Sequence, residues 1–228
     1  HNLPIPEGHD AGARQVVKTL RWCYEMRIST VSLYVFSEDN LNRSQKEVSA
    51  LFTNIIDAYI FLITDDRSWM RQKGVRFCLM GDLSLVPRKR TRHQLAQLLC
   101  KSRENHRAYF SAHPDAFRFT VNIGFMYSGV REISDASNRI LHSGLDPSLI
   151  TPDLLTACTY TGLSAHSCPD LLIRTSGETR LSDFMPLQMS KGGGLIYFTK
   201  DLWPDFSIRH FLKSISEWQR FNYDRKIK

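Results

Sequence analysis

Residue types that bind phosphate are concentrated in segment 174–182, directly after a predicted strand. Arg174 and Arg180 lie six residues apart around Gly177, and Ser182 adds a hydroxyl group. Guanidinium groups can form paired hydrogen bonds with phosphate oxygens, and hydroxyl groups can satisfy the remaining lone pairs. A glycine permits close approach of the backbone. The spacing favours a diphosphate-binding turn, with a surface turn carrying two solvated arginines as the alternative.

A second polar cluster follows another predicted strand and contains Ser37, Asn40 and Arg43. These side chains could donate hydrogen bonds to an anion at the mouth of that strand. Asp39 and Asn40 could equally be turn residues or the N-cap of the helix that follows. The pattern leaves both interpretations open.

His9 follows Gly8 just ahead of the first predicted helix. A helix N-terminus favours an anion, so His9 is a candidate for phosphate binding. A single histidine at such a position is more commonly a cap or a surface residue, which is the alternative.

Hydrophobic periodicity predicts the elements that position these residues. The predicted strands are 31–36, 75–80, 117–125, 171–174 and 195–198, and the predicted helices are 12–26, 44–64, 88–106, 129–142, 152–158 and 208–221. Strands that alternate with helices predict an α/β fold, a single domain over residues 1–228 with a mostly parallel central sheet flanked by helices. Ligands of such sheets bind at the carboxyl ends of the strands, where both polar clusters occur. The glycine run in 190–194 predicts a loop.

Net charge, cysteine spacing and the lengths of apolar runs limit the kinds of binding partner that we expect. Thirty Lys and Arg against 23 Asp and Glu give a formal charge of +7, which favours nucleic acid, a membrane surface or a phosphorylated small molecule. The basic run 88–92 is typical of a solvated helix start, with a nuclear signal or a nucleic-acid patch as the alternative. Five widely spaced cysteines indicate neither a disulfide framework nor a zinc site. The longest strongly apolar run, 58–63, is too short to span a bilayer, so any membrane contact is expected at the surface.

Five motifs together resemble a known family in their order and spacing. They are EGHDAGA (7–13), YVFSEDNLNRSQKEV (34–48), MGDL (80–83), PDLLIRTSGETRLSDF (169–184) and LWPDF (202–206). The set is similar to the undecaprenyl and dehydrodolichyl diphosphate synthases, the cis-prenyltransferases. The form RTSGETRLSDF and the segment TLRWC (19–23) resemble the eukaryotic dehydrodolichyl diphosphate synthase branch in particular.

The resemblance implies roles for the arginine turn and for the long helix. Arg174, Arg180 and Ser182 match positions that hold the diphosphate of isopentenyl diphosphate. Glu47 matches an acidic position beside a hydrophobic channel for the growing chain. The apolar stripe of the helix 44–64, with Leu51, Phe52, Ile55 and Ile56, could line that channel or could form ordinary core.

The resemblance also implies roles for the second cluster and for the first histidine. Ser37, Asn40 and Arg43 match a hydrogen-bond network at the point of condensation, and His9 matches a histidine near the allylic diphosphate. The implied reaction joins isopentenyl diphosphate to farnesyl diphosphate or a similar allylic diphosphate. Mg²⁺ and cationic side chains would stabilise the departing diphosphate. The product would be a long-chain dehydrodolichyl diphosphate for dolichol synthesis and protein glycosylation.

The sequence departs from the family pattern in three places, and these departures affect the metal ligands and the oligomeric state that we expect. The family's metal-handling aspartate would lie upstream of His1, so no metal ligand is assigned. The segment Met185 to Gln188 has leucine where homodimeric members have tryptophan, and no glutamate follows nearby. The Arg-X-Gly tail of such homodimers does not follow Trp218, although truncation could mimic this.

These departures resemble the catalytic subunit of a heteromer with a Nogo-B-receptor-like partner. Such a complex would lie peripherally on the cytoplasmic face of the endoplasmic reticulum membrane. A non-catalytic scaffold subunit of the same complex and a basic nucleic-acid-binding module are the alternatives. No nucleic-acid-binding signature occurs in the sequence, so nucleic acid is not expected as a partner.

Overall fold

The computed structural model describes residues 5–162 and 167–227, with side chains described from residue 11 to residue 225 outside that gap. The chain divides into two compact units, His1–Tyr127 and Ser128–Lys228, and each is described by itself. The single domain expected over residues 1–228 stays a prediction.

The first unit is built on a three-stranded parallel sheet. Its strands are β1 (Thr30–Ser37), β2 (Arg76–Met80) and β3 (Thr120–Tyr127), in the order β1-β3-β2. Its helices are α1 (Ile5–Glu25), α2 (Gln45–Thr64), α3 (Trp69–Gln72) and α4 (Lys89–Ala112). Parallel strands need crossover connections, and here long helices supply them.

The central strand β3 is almost wholly buried because it has a neighbour on each side. Phe125 of β3 lies 5.6 Å from Phe36 of β1 and 5.5 Å from Phe52 of α2, measured between ring centroids. This aromatic cluster joins the sheet to α2. The β1–β3 register shifts on both sides of Phe36, so the carboxyl end of β1 is irregular just before Ser37. Such irregularities re-aim side chains near functional sites.

The second unit contains a parallel pair of strands and four helices. The strands β4 (Leu171–Arg174) and β5 (Leu195–Phe198) pair from Leu171 opposite Leu195 to Arg174 opposite Phe198. The helices are α5 (Gly129–Leu141), α6 (Pro152–Ala157), α7 (Pro186–Gly192) and α8 (Ile208–Ile227). The predicted α/β class, with parallel strands flanked by helices, is confirmed, and the strands occupy two hydrogen-bonded sheets.

Several predicted boundaries are wrong. Helices α4 and α8 end at Ala112 and Ile227, beyond the predicted ends at 106 and 221. Helix α1 begins at Ile5, so His9 lies inside the helix and not ahead of it. Pro6 in the first turn is compatible with this start, because a proline there loses no helical hydrogen bond. Residues 190–192 belong to α7 and not to a loop. The helix ends at Gly193, whose φ of 60° closes it in a left-handed cap.

Helix α2 begins with a capping box at Ser44 and not with Asp39 or Asn40. The Ser44 hydroxyl accepts from the Glu47 N–H at 3.4 Å, and the Ser44 N–H donates to Glu47 Oε2 at 3.2 Å. A short 3₁₀ helix, Glu38–Asn42, stands between β1 and this cap. Glu47, predicted beside a channel, therefore has a structural role at the helix start.

By length and composition alone, the helical stretch Gln45–Gln72 is apolar enough to cross a membrane, and 33% of its most apolar window is buried. Within the first unit, α2 packs against α3 and α4, with Val48, Phe52 and Ile56 buried. Thr53, Asn54 and Asp57 face solvent. The first half of α2 thus has an apolar and a polar face, whereas Ile60 and Phe61 near its end are exposed.

Gly81 ends β2 at a very close approach of two backbone segments. Its φ is 137°, and a Cβ atom built there would lie 2.0 Å from the carbonyl oxygen of Phe125. Only a residue without a side chain fits this position.

Candidate functional site

The carboxyl end of β1 presents a compact polar group in the first unit. Ser37 is the last residue of the strand, and its N–H donates to Asn40 Oδ1 at 3.2 Å. The Arg43 N–H donates to the Asn40 carbonyl at 3.2 Å, and the Arg43 side chain is exposed. The 3₁₀ turn thus brings Ser37 and Asn40 together and holds the Asn40 side chain by its oxygen. Within the described ranges no acceptor for its NH₂ group is seen, so this group could donate to a ligand.

An apolar pocket opens in the same unit between α2, α4 and the sheet. It contains about 300 Å³ of space not occupied by atoms, part of it open to solvent. Its lining consists of Tyr59, Ile63, Leu79, Leu95, Leu98, Leu99, Ile123 and Phe125. The walls are apolar, but most of this space is open, and the enclosed part has room for about one water molecule.

The pocket lies further along α2 than the stripe considered from the sequence. Tyr59 and Ile63 contribute to it, whereas Phe52 and Ile56 are buried core residues with exposures of 7% and 8%. The core interpretation therefore applies to Phe52 and Ile56.

Tyr59 lines this pocket with its ring, and its buried hydroxyl has no hydrogen-bond partner among the described residues. Burial raises the pKa of this hydroxyl far above its ordinary value, so the group stays neutral. A buried hydroxyl without a partner costs stability. The sequence carried no signal for it, because tyrosine at this position matches the apolar periodicity of α2.

The carboxyl end of β4 presents the arginine predicted to bind a diphosphate. Arg174 is the last residue of the strand, and its Nη2 lies 3.4 Å from the Ser182 hydroxyl, to which it donates. Its Nε is buried and has no partner within the described part of the chain. Because a buried guanidinium nitrogen normally has an acceptor, this arrangement indicates an anion-binding position.

The turn after Arg174 is held by the loop that follows β5. The Ser176 N–H donates to the Asp201 carbonyl at 2.7 Å, and the Gly177 N–H donates to the Thr199 carbonyl at 2.9 Å. Ser176 and Gly177 have φ angles of 71° and 70°. Non-glycine residues in this left-handed region are strained, and such strain concentrates at functional sites. The neighbouring loop therefore fixes the shape of the turn.

Asp183 fixes the other end of the arginine segment to α5. Its carboxylate accepts from the Ser128 hydroxyl at 2.7 Å and from the Val130 N–H at 3.1 Å, and its carbonyl accepts from the Gly129 N–H at 3.0 Å. The carboxylate thus lies at the N-terminus of α5, where negative charge is favourable. Left-handed φ angles at Ser182 and Asp183, 49° and 61°, accompany this anchoring.

Arg180 lies in a different environment from Arg174. Its side chain is 70% exposed and forms an ion pair with Glu178. An exposed ion pair contributes little to stability, so it leaves the guanidinium group available to exchange partners.

The structure brings together Ser37 with Asn40 in one unit and Arg174 with Ser182 in the other. Convergence of the two groups on one ligand stays a prediction. The side chain of His9 lies outside the described residues. Sequence reasoning assigned no role to Asp183, although it lies within the RTSGETRLSDF motif, because its partners are distant in sequence.

No group of three or more His, Cys, Asp or Glu side chains in the described part of the chain is arranged to hold a metal ion. The two carboxylates of the RTSGETRLSDF motif have protein partners: Glu178 pairs with Arg180, and Asp183 caps α5. The described residues therefore do not by themselves form a site for Mg²⁺.

Comparison with protein families gives one match over nearly the whole chain. The prenyltransferase family model, described as undecaprenyl diphosphate synthase, matches residues 1–226. The human dehydrodolichyl diphosphate synthase complex subunit DHDDS is 34% identical over 217 residues, which cover 93% of this chain and 60% of that protein. The chain thus spans about three fifths of the length of this relative.

Prokaryotic relatives and solved structures are similar over comparable lengths. Isoprenyl transferase 2 of Tropheryma whipplei is 36% identical over 94% of this chain and 76% of its own length. Lavandulyl diphosphate synthase from Lavandula x intermedia, in complex with dimethylallyl diphosphate, superposes with a TM-score of 0.78 over 95% of this chain and 86% of its own, at 24% identity. A structure from Campylobacter jejuni, described as a "probable undecaprenyl diphosphate synthase (uppS)", has a TM-score of 0.74 over 92% of this chain and 89% of its own, at 26% identity. At these identities the structural likeness shows the fold.

Proposed function

Since this chain belongs to the undecaprenyl diphosphate synthase family, we propose that it condenses isopentenyl diphosphate with an allylic diphosphate to build a long cis-polyprenyl diphosphate. The observation that carries the proposal is the buried Nε of Arg174, without a partner among the described residues, beside Ser182 at the end of β4. An anionic ligand would satisfy that nitrogen. The residues that line the small pocket between α2 and α4 are apolar, which agrees with a hydrocarbon chain as the other part of the ligand.

In the proposed reaction, the chain's own residues bind and orient the two substrates. Arg174 and Ser182 hold the diphosphate of isopentenyl diphosphate, with Arg180 recruited from its exposed ion pair. The double bond attacks the allylic carbon as its diphosphate departs, and a proton is then lost, for which a diphosphate oxygen is a suitable acceptor. Ser37, Asn40 and Arg43 donate hydrogen bonds where negative charge grows.

The proposal includes Mg²⁺ as the counter-ion of the diphosphate groups. The described residues do not form its site, so none of the steps above depends on it.

The finer parts of the proposal concern the biological setting. We propose farnesyl diphosphate or a similar allylic substrate, and a dehydrodolichyl product used for dolichol synthesis and protein glycosylation. The similarity to a human protein named as a complex subunit supports a heteromer, for which we propose a Nogo-B-receptor-like partner. The complex would lie on the cytoplasmic face of the endoplasmic reticulum membrane. A purely non-catalytic scaffold would have no need of the buried Arg174 Nε, which has no partner among the described residues.

The test is incorporation of radiolabelled isopentenyl diphosphate with farnesyl diphosphate and Mg²⁺, followed by chromatographic sizing of the product. The chain is assayed alone, with the partner, and with Arg174→Ala in place of the native chain. Product that requires Arg174 supports the proposal. No incorporation under any of these conditions, from protein that remains folded, would falsify it. Full activity without the partner would reject the heteromer alone.

A further inference from the structure

Helix α4 carries a basic face that the proposed chemistry does not use. Its exposed cationic residues are Lys89, Arg90, Lys101, Arg103 and Arg107. At a rise of about 1.5 Å per residue, Lys89 and Arg107 are separated by about 27 Å along the helix axis. The positive charge is therefore spread along the helix.

Negative charge on this helix is sparse. Glu104 is its single acidic residue, and Lys101 pairs with it at 3.3 Å. Exposed cations that outnumber acids in this way create a positive potential, which attracts anionic surfaces and is screened by salt.

The opposite face of the same helix is apolar and forms a wall of the pocket. Leu95, Leu98 and Leu99 line that pocket, and Leu95 and Leu98 are buried. Helix α4 thus presents apolar side chains to the interior of the first unit and cationic side chains to solvent.

We propose that the exposed basic face of α4 docks the protein on an anionic phospholipid bilayer. The inference rests on the proposed function, because a product that lengthens as a hydrocarbon must finally enter a membrane. None of the large apolar side chains of α4 is exposed, so the helix adsorbs through charge and does not insert. Clusters of Lys and Arg bind anionic leaflets in this way.

Nucleic acid fits the same face less well. Single-stranded binding relies on exposed aromatic side chains that stack on bases. In α4, Phe110 is buried, and Tyr109 stacks on His113 with ring centroids 4.5 Å apart. The face therefore offers charge without a stacking platform.

The experiment is co-sedimentation of the purified chain with phosphatidylcholine vesicles, with and without phosphatidylserine. We expect binding to vesicles that contain phosphatidylserine, little binding to phosphatidylcholine alone, and release as the salt concentration rises. The triple variant Lys89→Gln, Arg103→Gln, Arg107→Gln should lower the vesicle partition coefficient by about 100-fold.

A matched control removes the same charge from α8. Arg209, Lys213 and Arg220 are exposed there, and the triple change of these residues to Gln should leave vesicle binding nearly unchanged. Equal losses in both triple variants would show that only net charge matters, and would overturn the assignment to α4. Salt-insensitive binding, or tight binding of duplex DNA without vesicle binding, would also overturn it.

A detergent-based condensation assay separates this inference from the proposed function. The α4 variant should keep its wild-type rate in detergent while losing vesicle binding. If the α4 variant keeps its wild-type condensation rate and still binds vesicles as the wild-type protein does, only the proposed docking face is rejected. Absence of condensation in every form of the protein rejects the proposed function.

Discussion

Arg174 Nη2 lies 3.4 Å from the hydroxyl of Ser182, eight residues further along the chain, while Nε of the same guanidinium group is buried without a partner among the described residues. The contact is made within the chain, so it helps to shape the arginine turn. Preorganised donors of this kind cost no rearrangement when negative charge develops.

Replacing Arg174 by lysine should therefore weaken isopentenyl diphosphate binding although the charge is kept. Lysine lacks the planar fork that directs two donors at one phosphate. The loss of one charge-assisted hydrogen bond corresponds to about a 10- to 100-fold rise in KM. Steady-state kinetics with varied isopentenyl diphosphate measure it, with Arg209→Lys on the exposed face of α8 as the control. Equal KM values for both variants would contradict a role for Arg174 in binding.

Asp183→Ala tests whether the anchor at α5 positions the arginine segment. The change removes the acceptor for the Ser128 hydroxyl and the Val130 N–H. Loss of a helix cap costs about 1 kcal/mol, so the melting temperature should fall by a few degrees. We also expect a higher KM for isopentenyl diphosphate, partly restored in Asp183→Asn, which keeps one acceptor. A lower melting temperature with an unchanged KM would leave Asp183 as a cap alone.

Tyr59→Phe should stabilise the protein. The variant keeps the ring and removes a buried hydroxyl that lacks a partner, whose burial costs about 1–3 kcal/mol. We expect the free energy of unfolding in urea to rise by about 1 kcal/mol. Tyr160→Phe is the matched control and should destabilise, because the Tyr160 hydroxyl donates to Asp135 at 2.6 Å. Destabilisation by Tyr59→Phe would indicate that this hydroxyl has a partner in solution.

His106 should make the stability of the first unit depend on pH. Burial lowers the pKa of this histidine, and Arg76 and Arg118 lower it further, although its bond to the Gly74 carbonyl at 2.7 Å opposes the shift. The neutral ring is thus favoured in the folded state. Its stabilising contribution is present above the unfolded pKa of about 6.5 and is lost as the pH falls through the lowered folded value.

Urea unfolding at pH 7.5 and pH 5.5 provides the measurement, with pH values chosen about one unit either side of the unfolded pKa. Wild-type protein should lose more stability between these conditions than His106→Gln, which cannot titrate. Parallel losses in the two proteins would assign the pH dependence to other groups.

The sequence predicted the strands well because their apolar runs are short, β-rich and bounded by turns. The strands ending at Arg174 and Phe198 match the structure at both ends. The sequence-based prediction failed at α7, where the glycine run in 190–194 predicted a loop. Intrinsic propensity disfavours glycine in helices by about 1 kcal/mol per residue, but burial of Gln188 and Met189 outweighs it.

The sequence predicted those parts of the candidate site in which residues able to bind an anion directly follow a predicted strand. Arginine, serine and asparagine directly after predicted strands indicated anion binding. Gly177 lies in a turn as predicted, and its φ is 70°. The roles of Thr199, Asp201 and Asp183 could not be derived, because each acts through residues brought close only by folding. The unpaired state of the Tyr59 hydroxyl likewise depends on packing around the pocket.

The close approach at Gly81 restricts which sequences can adopt this structure. A methyl group there would overlap the Phe125 carbonyl, and this carbonyl belongs to the central strand that both neighbours share. Relief would require displacing the very strand on which Phe36 and Phe52 pack. This one backbone position therefore admits no side chain without rebuilding the sheet beneath it.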